Sequence, residues 1–420
     1  MKLDELRRYK KILILGYGVE GKATEKFLKK FHPEAKIGIT DQKDGPGYLK
    51  QQKNYDLAIR TPLLRPEKIT IPYTTATNIF MENVANMKIG ITGTKGKSTT
   101  ASLLHHILRN TGRPVRLYGN VGIPMLSAMT EGIAMDDIFV LELSSYQLED
   151  IHTSPDIACF LNIYEELHNH NSFEEYFQAK SHITLFQGSE DTFFYNGGEH
   201  QIKKLLEQTK AQSLDFSGID ATAFMHNLAF YTHAQNIQAV IAICRHMGLS
   251  DMDIKTSIQS FMPLPHRLHN VGIYNGVTFI DDSSSTHPSS TVFALSVLPR
   301  VDTIILGGED RGYNFSELAQ QLANKGVRNI ILFPDTQEKL YNCIADIKDY
   351  DPDVKKVHSM QEAFAELLKR ARTGDICLLS PGAPSYTMFH NFGERGDTFV
   401  ELVKKYAQSQ TFAQKKTTSV

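Results

Sequence analysis

Residues 87–99 read MKIGITGTKGKST, and this stretch decides the fold. The run from 87 to 92 is short and apolar, which is typical of a buried strand, and a glycine-rich turn joins it to a helical pattern that ends near residue 110. Glycines let the backbone of such a turn bend so that several N–H groups point inward, and the positive end of the next helix adds to them. The stretch therefore predicts a strand, a phosphate-binding loop and a helix.

The predicted loop comprises Gly93, Thr94, Lys95, Gly96, Lys97, Ser98 and Thr99. Lys97 is predicted to neutralise the terminal phosphates of a nucleotide, and the hydroxyl of Ser98 or Thr99 to bind Mg²⁺. The spacing is shorter than in the common G-x-x-x-x-G-K-[ST] loop, which argues against a generic GTPase or kinase. The alternative is a glycine-rich turn with an exposed lysine and no ligand.

The order of apolar strand, glycine turn and helix occurs in three blocks of the chain. The first block begins at residues 11–15, the second at residues 87–92, and the third after the proline-rich hinge at residues 262–265. Further strands are predicted at residues 138–143, 157–163, 277–281, 303–306, 329–332 and 376–379. This alternation predicts a doubly wound α/β fold with mostly parallel sheets. A length of 420 residues indicates about three domains, at roughly 150 residues per domain.

A second glycine motif opens the first block. Gly16, Gly18 and Gly21 follow a predicted strand with the G-x-G-x-x-G spacing of a dinucleotide-binding turn, and Asp41 lies about twenty residues further on. The motif favours a ligand that contains a diphosphate. A nicotinamide cofactor, or tight packing of helix against strand without a ligand, are the alternatives.

Candidate metal ligands follow the phosphate loop along the chain. Glu142 lies near the carboxyl end of a predicted parallel strand, where a Mg²⁺ ligand belongs, although a paired structural glutamate is the alternative. His168 and His170 lie in a loop, where a ligand role and simple solvation fit equally well. Lys180 by itself resembles an ordinary surface lysine.

Composition argues against several classes of function. A net charge of −2 at pH 7 argues against binding to nucleic acid or to an anionic membrane, so any phosphate binding must be local. The four cysteines are scattered without a C-x-x-C pair, which favours buried free thiols over metal ligands or disulfides. No apolar run approaches about 18 residues, and the N-terminus lacks the apolar stretch of a signal peptide. We therefore expect a cytoplasmic enzyme.

Five further segments carry a resemblance to a known family. GTKGKSTT, LELSSYQLE, NSFEEYFQAK, PLPHR and SPGAPSYTMFHNFGERG occur in this order, as they do in the Mur ligases, and the chain resembles most of all the glutamate-adding members. The resemblance covers essentially the whole chain. It implies a Rossmann-like domain for a UDP-linked precursor at residues 1–87, a central ATP-binding domain at residues 88–262 and an amino-acid-binding domain at residues 263–420.

The resemblance also implies the reaction. ATP would phosphorylate the terminal carboxylate of the UDP-linked muramoyl-alanine precursor, and the amine of glutamate would attack the acyl-phosphate to give a tetrahedral intermediate that loses phosphate. The implied cofactors are ATP and one or two Mg²⁺ ions, and the implied partners are the precursor and glutamate, with the protein acting as a monomer. D-Glutamate is the expected amino acid, and L-glutamate remains open.

Site residues are implied by position within the family's motifs. Contacts to the precursor are expected from Val19, Glu20, Asp41, Gln42, Lys43, Thr61, Pro62, Asn120, Ser144 and Gln147. Contacts to ATP beyond the phosphate loop are expected from His233, Asn236, Arg267 and Asp282. Contacts to glutamate are expected from Thr286, Arg311, Ser385 and Phe392. The catalytic residues are expected to be Lys97, Glu142, His168 and Lys180, and the metal ligands Ser98, Glu142, His168 and a carbamylated Lys180.

The chain departs from the family's pattern at several of these positions. Leu63 replaces a glycine, Ser284 replaces a lysine and His287 replaces an asparagine, while the loop that holds His168 is one residue short. Arg311 replaces another lysine and keeps its charge, with a guanidinium that can grip a carboxylate at two points. Three alternatives stay open: a sister ligase for another amino acid or for folate, a weakened nucleotide-binding scaffold, which the short histidine loop suggests, and a nicotinamide dehydrogenase, which the motif from Gly16 to Gly21 alone suggests.

Overall fold

A computed structural model describes residues 1–62, 64–120, 123–164, 170–224, 233–262 and 264–417. Within these ranges the chain forms two compact units, the first ending at Phe261 and the second beginning at Met262. The predicted α/β class is confirmed, because both units alternate strands with helices and pair nearly all strands in parallel. The division into three domains stays a prediction.

The first sheet of the first unit is small and wholly parallel. Its strands are β1 (Lys11–Leu15), β2 (Lys36–Thr40), β3 (Leu57–Arg60) and β4 (Tyr73–Thr75), and its helices are α1 (Leu3–Leu6), α2 (Val19–Phe31) and α3 (Ala76–Asn83). The strands lie in the order β2-β1-β3-β4. β2 and β3 lie on opposite sides of β1, so the direction of winding reverses at β1. In sheets of this kind a crevice forms at the carboxyl end of that strand, and ligands bind there.

The second sheet of the first unit has six parallel strands. These are β5 (Lys88–Thr92), β6 (Val115–Gly119), β7 (Ile138–Glu142), β8 (Ile157–Phe160), β9 (Thr192–Tyr195) and β10 (Gln212–Asp215). Its helices are α4 (Lys97–Asn110), α5 (Met125–Glu131), α6 (Ser145–Leu148), α7 (Phe173–Leu185), α8 (His200–Lys203), α9 (Ala234–His246) and α10 (Asp251–Gln259). The strand order is β10-β9-β8-β5-β7-β6, which places β5 at the point where the direction of winding reverses.

The burial of β5 explains why its sequence is mostly apolar. All five residues of β5 are buried, as expected for a parallel strand that is covered by helices on both faces. The strand predicted at residues 157–163 is shorter than expected, since β8 ends at Phe160. Residues 161–163 contact the phosphate loop instead, since the carbonyl of Asn162 accepts from the backbone N–H of Thr94 and its side chain bonds the backbone of Lys95.

The second unit holds the third sheet. Its strands are β11 (His269–Tyr274), β12 (Val277–Asp281), β13 (Thr303–Gly307), β14 (Asn329–Phe333), β15 (Asp353–Lys356) and β16 (Ile376–Leu379). They lie in the order β11-β12-β16-β13-β14-β15, and only β11 is antiparallel to its neighbour among the described strands. The helices are α11 (Pro288–Val297), α12 (Ser316–Lys325), α13 (Gln337–Ala345), α14 (Met360–Arg370) and α15 (Phe392–Thr417).

One hydrophobic core serves both sheets of the first unit. It runs from helices of the first sheet to strands of the second, and Phe80 of α3 meets Phe139 of β7 edge-on with ring centroids 5.3 Å apart. Both side chains are completely buried. Among the described residues, no helix combines the length and apolar character that crossing a bilayer requires.

We predict that Phe139→Ala lowers the free energy of unfolding by about 3–5 kcal/mol, because it removes a buried ring and leaves a cavity between the sheets. Urea unfolding followed by circular dichroism measures this change. Met135→Ala, at a side chain that is 99% exposed, is the control and should stay within about 0.5 kcal/mol of the wild type. Equal stabilities for Phe139→Ala and wild type would contradict a shared core.

Candidate nucleotide and substrate cleft

The phosphate loop lies at the carboxyl end of β5, as predicted. Gly96 caps α4 with a φ of +86°, a left-handed conformation that glycine adopts without strain. A Cβ atom there would also lie 2.2 Å from Oδ1 of Asn236, so position 96 admits no side chain. The ammonium group of Lys97 folds back over the loop and donates to the carbonyl oxygens of Gly93 and Thr94, at 2.9 Å each. The lysine is thereby held over the concave side of the loop.

Two side chains from distant parts of the sequence fix the shape of this loop. Asn162 accepts a hydrogen bond from the backbone N–H of Lys95 at 2.9 Å and donates to its carbonyl at 3.0 Å. The hydroxyl of Tyr176 donates to Oγ1 of Thr94 at 3.1 Å. Sequence analysis missed both residues as parts of the loop. Tyr176 lies within the quoted motif that ends at Lys180, which was the available signal.

Lys180 is not a surface lysine. Its side chain is 1% exposed, its ammonium group donates to the carbonyl of Gly93 at 2.9 Å, and it lies 4.8 Å from the centre of the Tyr176 ring. A buried cation therefore faces the same carbonyl as Lys97. As a protonated amine Lys180 cannot ligate a metal, and a ligand role requires chemical conversion of the amine to a carbamate.

Glu142, one of the predicted metal ligands, lies at the end of a strand that pairs with β5, and its role as a ligand stays a prediction. It ends β7, is 1% exposed, and its Oε1 accepts from the side chain of Asn120 at 3.1 Å. Its Oε2 is buried and has no hydrogen-bond partner within the described ranges. No three His, Cys, Asp or Glu side chains form a metal cluster in this part of the chain. A buried carboxylate oxygen is a ligand that Mg²⁺ accepts alongside phosphate and water, so the chemistry of Glu142 is compatible with the predicted ion.

Ser144 and Gln147 cap the short helix α6. The side chain of Gln147 accepts from the backbone N–H of Ser144 at 3.0 Å, and the Ser144 hydroxyl accepts from the N–H of Gln147 at 3.4 Å. Ser144 also lines the cleft described next. Gln147 is 3% exposed and supports Ser144 from behind, so a direct contact of Gln147 with substrate stays a prediction.

A single cleft of about 1080 Å³ joins the two sheets of the first unit. It brings together predicted residues from both glycine motifs and from the lysine and serine segments: Val19, Glu20, Asp41, Gln42, Lys43, Thr61, Pro62, Thr94, Lys97, Asn120, Ser144 and Lys180. The carboxyl ends of β1 and β5 thus open into one space, although the residues come from widely separated parts of the sequence.

Close packing explains the first glycine motif. Gly16 has a φ of +97°, and a Cβ atom there would lie 2.1 Å from the Thr61 hydroxyl oxygen, which donates to the carbonyl of Leu15. Asp41 directly follows β2 and accepts from the backbone N–H groups of Tyr17 at 2.6 Å and Lys43 at 3.1 Å. These bonds lower the pKa of Asp41, so a charged carboxylate stands beside the turn.

Glu20 is the least expected group in the cleft. It lies in the first turn of α2, and its Oε1 atom is buried without a hydrogen-bond partner among the described residues. Burial raises the pKa of Glu20 to about 7, and the positive charge of Arg60 opposes part of that shift. Near neutral pH the group therefore exists in both protonation states.

The predicted adenine contacts lie beside the phosphate loop. Asn236 is 2% exposed, in the first turn of α9, with its amide oxygen against Gly96. His233 caps the same helix, and burial lowers its pKa, which favours the neutral ring. Their placement is compatible with a nucleotide on the loop, and their roles stay predictions.

In the second unit, loops at the carboxyl ends of adjacent strands carry the predicted glutamate contacts. Arg395 is 1% exposed and holds these loops together, donating to Ser283 Oγ at 3.0 Å and to the carbonyl oxygens of Ser283 and Ala383 at 2.9 and 3.0 Å. The segments it joins lead to Thr286, Ser385 and Phe392. Sequence analysis quoted the motif that contains Arg395 without singling it out.

Arg311 and Asp282 are both engaged within the second unit. The guanidinium of Arg311 donates to Glu309 at 2.8 Å and lies 5.6 Å from the centre of the Tyr386 ring. Asp282 accepts from the backbone of Leu268 and the hydroxyls of Ser285 and Ser380, and burial raises its pKa to about 6. The expected roles of Arg311, Arg267 and Asp282 toward ligands stay predictions. His168 and Leu63 lie outside the described residues.

The fold and the site define a phosphate-loop α/β protein with a second ligand-binding turn. A model of the Mur ligase middle domain matches residues 91–265, and a model described as "Mur ligase, glutamate ligase domain" matches residues 266–382. The UDP-N-acetylmuramoylalanine--D-glutamate ligase of Lactobacillus johnsonii is 30% identical over 464 residues, covering 96% of this chain and 99% of the relative. The chain belongs to the Mur ligase family.

Solved structures support the same fold. The MurF ligase of Thermotoga maritima, in complex with ADP, has a TM-score of 0.60 at 16% identity and covers 95% of this chain and 95% of its own. A bifunctional folylpolyglutamate synthase/dihydrofolate synthase of Yersinia pestis has a TM-score of 0.57 at 14% identity, and covers 75% of this chain and 89% of its own.

The raised pKa of Glu20 predicts that the free energy of unfolding depends on pH. Its pKa in the folded state exceeds the ordinary value of about 4.3, so its contribution to stability is complete below that pH and is lost as pH rises toward about 7. Between these limits the free energy of unfolding of the wild type should fall relative to that of Glu20→Gln, by about 3 kcal/mol or less.

Urea unfolding of both proteins at four pH values from about 4.5 to 7.5 checks this expectation. Glu34→Gln, at an exposed glutamate, is the matched control and should follow the wild-type curve. Parallel curves for wild type and Glu20→Gln would rule out a raised pKa for this group.

Proposed function

We propose that this Mur ligase is an ATP-dependent enzyme that joins D-glutamate to UDP-N-acetylmuramoyl-L-alanine, a step in the synthesis of peptidoglycan precursors. The observation that carries the proposal is the shared cleft, in which the Gly16 turn and the phosphate loop open into one space. A UDP-linked acid bound along that cleft would have its nucleotide near the first sheet and its carboxylate near Lys97. Identity of 30% to a D-glutamate ligase over nearly the whole chain supports the same substrates.

Charge along the cleft suits an anionic precursor and a triphosphate. Five lysines line the cleft against the three carboxylates of Glu20, Asp41 and Asp44, namely Lys22, Lys43, Lys68, Lys97 and Lys180. The overall net charge is −2, so this positive character is local to the site. Preorganised cations of this kind stabilise charge that spreads over a phosphoryl group during its transfer.

The proposed reaction has two chemical steps. A carboxylate oxygen of the precursor attacks the γ-phosphorus of ATP, the bond to the β-phosphate oxygen breaks, and ADP leaves. The uncharged amine of glutamate then attacks the acyl carbon, and the tetrahedral intermediate expels inorganic phosphate to form the amide. Lys97 and the loop amides hold the phosphoryl oxygens through the first step, and exclusion of water protects the acyl-phosphate before the second.

Divalent metal is part of the proposal. Glu142, whose Oε2 has no hydrogen-bond partner among the described residues, and the hydroxyl of Ser98 would hold Mg²⁺, together with a carbamylated Lys180 and His168. When bound, the ion would neutralise phosphate oxygens and orient them. The burial of Lys180 beside the loop, with its amine 2.9 Å from the carbonyl oxygen of Gly93, supports a role in this site.

Recognition of glutamate is proposed for the second unit. Arg311 would bind the side-chain carboxylate, Ser385 the α-carboxylate, Thr286 a further polar group, and Phe392 would form an apolar wall. His233 and Asn236 would contact adenine, with Arg267 and Asp282 at the phosphate and ribose. The residues 1–87, 88–262 and 263–420 would then act as three domains, in a monomer that works in the cytoplasm, where ATP is available.

We predict that the purified protein releases phosphate from ATP only when Mg²⁺, UDP-N-acetylmuramoyl-L-alanine and D-glutamate are all present. A coupled phosphate assay measures this, with L-glutamate, lysine and other amino acids tested one at a time. Lys97→Ala should reduce turnover to background, because it removes a charge that acts on the transferring phosphoryl group. Turnover with a different amino acid or with a folate would replace this assignment by a sister ligase. ADP binding without turnover on any of these substrates would favour a weakened scaffold.

We further predict that Lys180→Ala loses at least about 100-fold in kcat, and that short carboxylic acids such as acetate partly restore it by occupying the place of a carbamate. Gln178→Ala on the exposed side of the same helix is the matched control and should keep wild-type activity, with and without acetate. Full activity of Lys180→Ala would discard a role for this lysine, and loss without rescue would leave a cationic role rather than a carbamate.

A further inference from the structure

Arg60 occupies an unusual position for a charged residue. It is the last residue of β3, it is 1% exposed, and it is among the largest fully buried side chains of the described chain. Taking an unpaired guanidinium out of water costs several kcal/mol, so a buried arginine must be paired and hydrogen-bonded to be tolerated. Arg60 lies in none of the sequence motifs described above.

Two carboxylates and three carbonyl groups surround the guanidinium. The carboxylates are those of Glu149 at 3.1 Å and Asp150 at 2.5 Å. The carbonyl oxygens belong to Pro62 at 3.4 Å, Leu64 at 2.6 Å and Tyr146 at 3.3 Å. All five acceptors contact the terminal nitrogens Nη1 and Nη2, while Nε has no hydrogen-bond partner among the described residues. Two terminal nitrogens that bond both walls at once are a feature of arginine that the single ammonium group of lysine lacks.

These acceptors lie on two different walls of the cleft. Pro62 and Leu64 belong to the wall that extends from the first sheet, and Tyr146 belongs to α6, on the wall that extends from the second sheet. Arg60 itself does not line the cleft. It therefore connects the two walls from behind, without reaching the space where a ligand would bind.

Further bonds attach the Arg60 cluster to the first sheet. The hydroxyl of Tyr73 donates to Asp150 Oδ1 at 3.1 Å, and the side-chain amide of Asn78 donates to the carbonyl of Asp150 at 2.5 Å. The end of α6 is thus held to β4 and α3 as well as to β3. Both carboxylates lie on the α6 side, so loss of Arg60 would leave them without their cation and would break the ion pairs that join this side to β3.

On its other side α6 is linked to the phosphate loop. The Ser145 hydroxyl and Nε2 of His170 are 3.0 Å apart, and the His170 ring stacks on Tyr146 with centroids 5.3 Å apart and planes 4° from parallel. His170 also packs against Tyr176, the residue that bonds Thr94 of the loop. A displacement of α6 would therefore move the cleft wall that adjoins the loop.

We propose that Arg60 is a positioning residue that sets the separation of the two walls, so that the precursor's carboxylate reaches the phosphate loop. The expected effect on precursor turnover rests on the proposed function. The expected effect on the cleft walls rests only on the contacts of Arg60 described above. Asn162 and the start of α4 shape the nucleotide-binding side of the loop, and the five acceptors of Arg60 described above lie elsewhere. Precursor use should therefore suffer more than nucleotide binding.

The kinetic test compares Arg60→Lys and Arg60→Met with wild type. For Arg60→Lys, which keeps the charge but not the fork, we expect kcat/KM for the precursor to fall between about tenfold and 100-fold, while the Kd for ADP changes less than about threefold. For Arg60→Met we expect a larger fall in kcat/KM for the precursor. An equal loss for precursor, ATP and glutamate, or unchanged kinetics, would overturn the proposal.

Two further variants separate positioning from general stability. Glu149→Gln removes one charge from the α6 side and should shift the same parameters by a smaller factor, even where Arg60→Met folds poorly. Arg113→Met is the matched control, because Arg113 also donates to a distant carbonyl, that of Met247 at 2.7 Å, but does not line or support the cleft. It should retain the wild-type KM values for all three substrates.

Hydrogen exchange tests the inference without any turnover. In Arg60→Lys the amide protons of peptides that contain Pro62 and Tyr146 should exchange faster than in wild type, while peptides of α9 keep their wild-type rates. Unchanged exchange in both cleft peptides would overturn the positioning role. A wild-type protein that fails to turn over UDP-N-acetylmuramoyl-L-alanine would instead overturn the proposed function, and the exchange result would still decide the role of Arg60.

Discussion

The bond between the side chain of Asn162 and the backbone of Lys95 is the constraint on which the site depends. One amide side chain uses its oxygen and its nitrogen to hold both polar groups of a single loop residue. Glycines at 93 and 96 give the loop little conformational preference of its own. A residue outside the loop, Asn162, therefore has to hold the curved conformation of its backbone. These two bonds keep the backbone curved around a space for phosphate, with Lys97 held across it.

Each unit has a buried arginine that holds loops together by donating hydrogen bonds to their carbonyl oxygens. In the first unit, Arg60 gathers carbonyl groups and carboxylates behind the cleft, and in the second unit Arg395 gathers the loops that leave β12 and β16. Loops at the ends of parallel strands have few partners of their own, since the ladder stops at the last strand residue. A guanidinium with five donors can satisfy several loop carbonyls at once, which explains why a costly buried charge is kept at both places.

Positive charge in the first unit is concentrated where two lysines approach one carbonyl. Lys97 and Lys180 both donate to the Gly93 oxygen. Two ammonium groups this close repel each other, and a bound phosphate or conversion of one amine to an anionic group would relieve that repulsion. The positions of these two lysines are therefore compatible with the proposed chemistry, in which the cleft binds anions at both of its ends.

The sequence by itself determined the strand, loop and helix at residues 87–110, the α/β class and the glycine turn at Gly16, because each follows from neighbouring residues. The motifs around Glu142 and Lys180 also indicated these two residues as candidate metal ligands, but no sequence pattern showed that Lys180 is buried. Only the tertiary structure decided the parts played by Asn162, Tyr176 and Arg60, whose partners lie 67, 82 and 86 residues away. Such contacts depend on strand order and on how helices pack, and no local pattern records them, since the hydrogen bonds form only when the sheets have brought distant loops to the same edge.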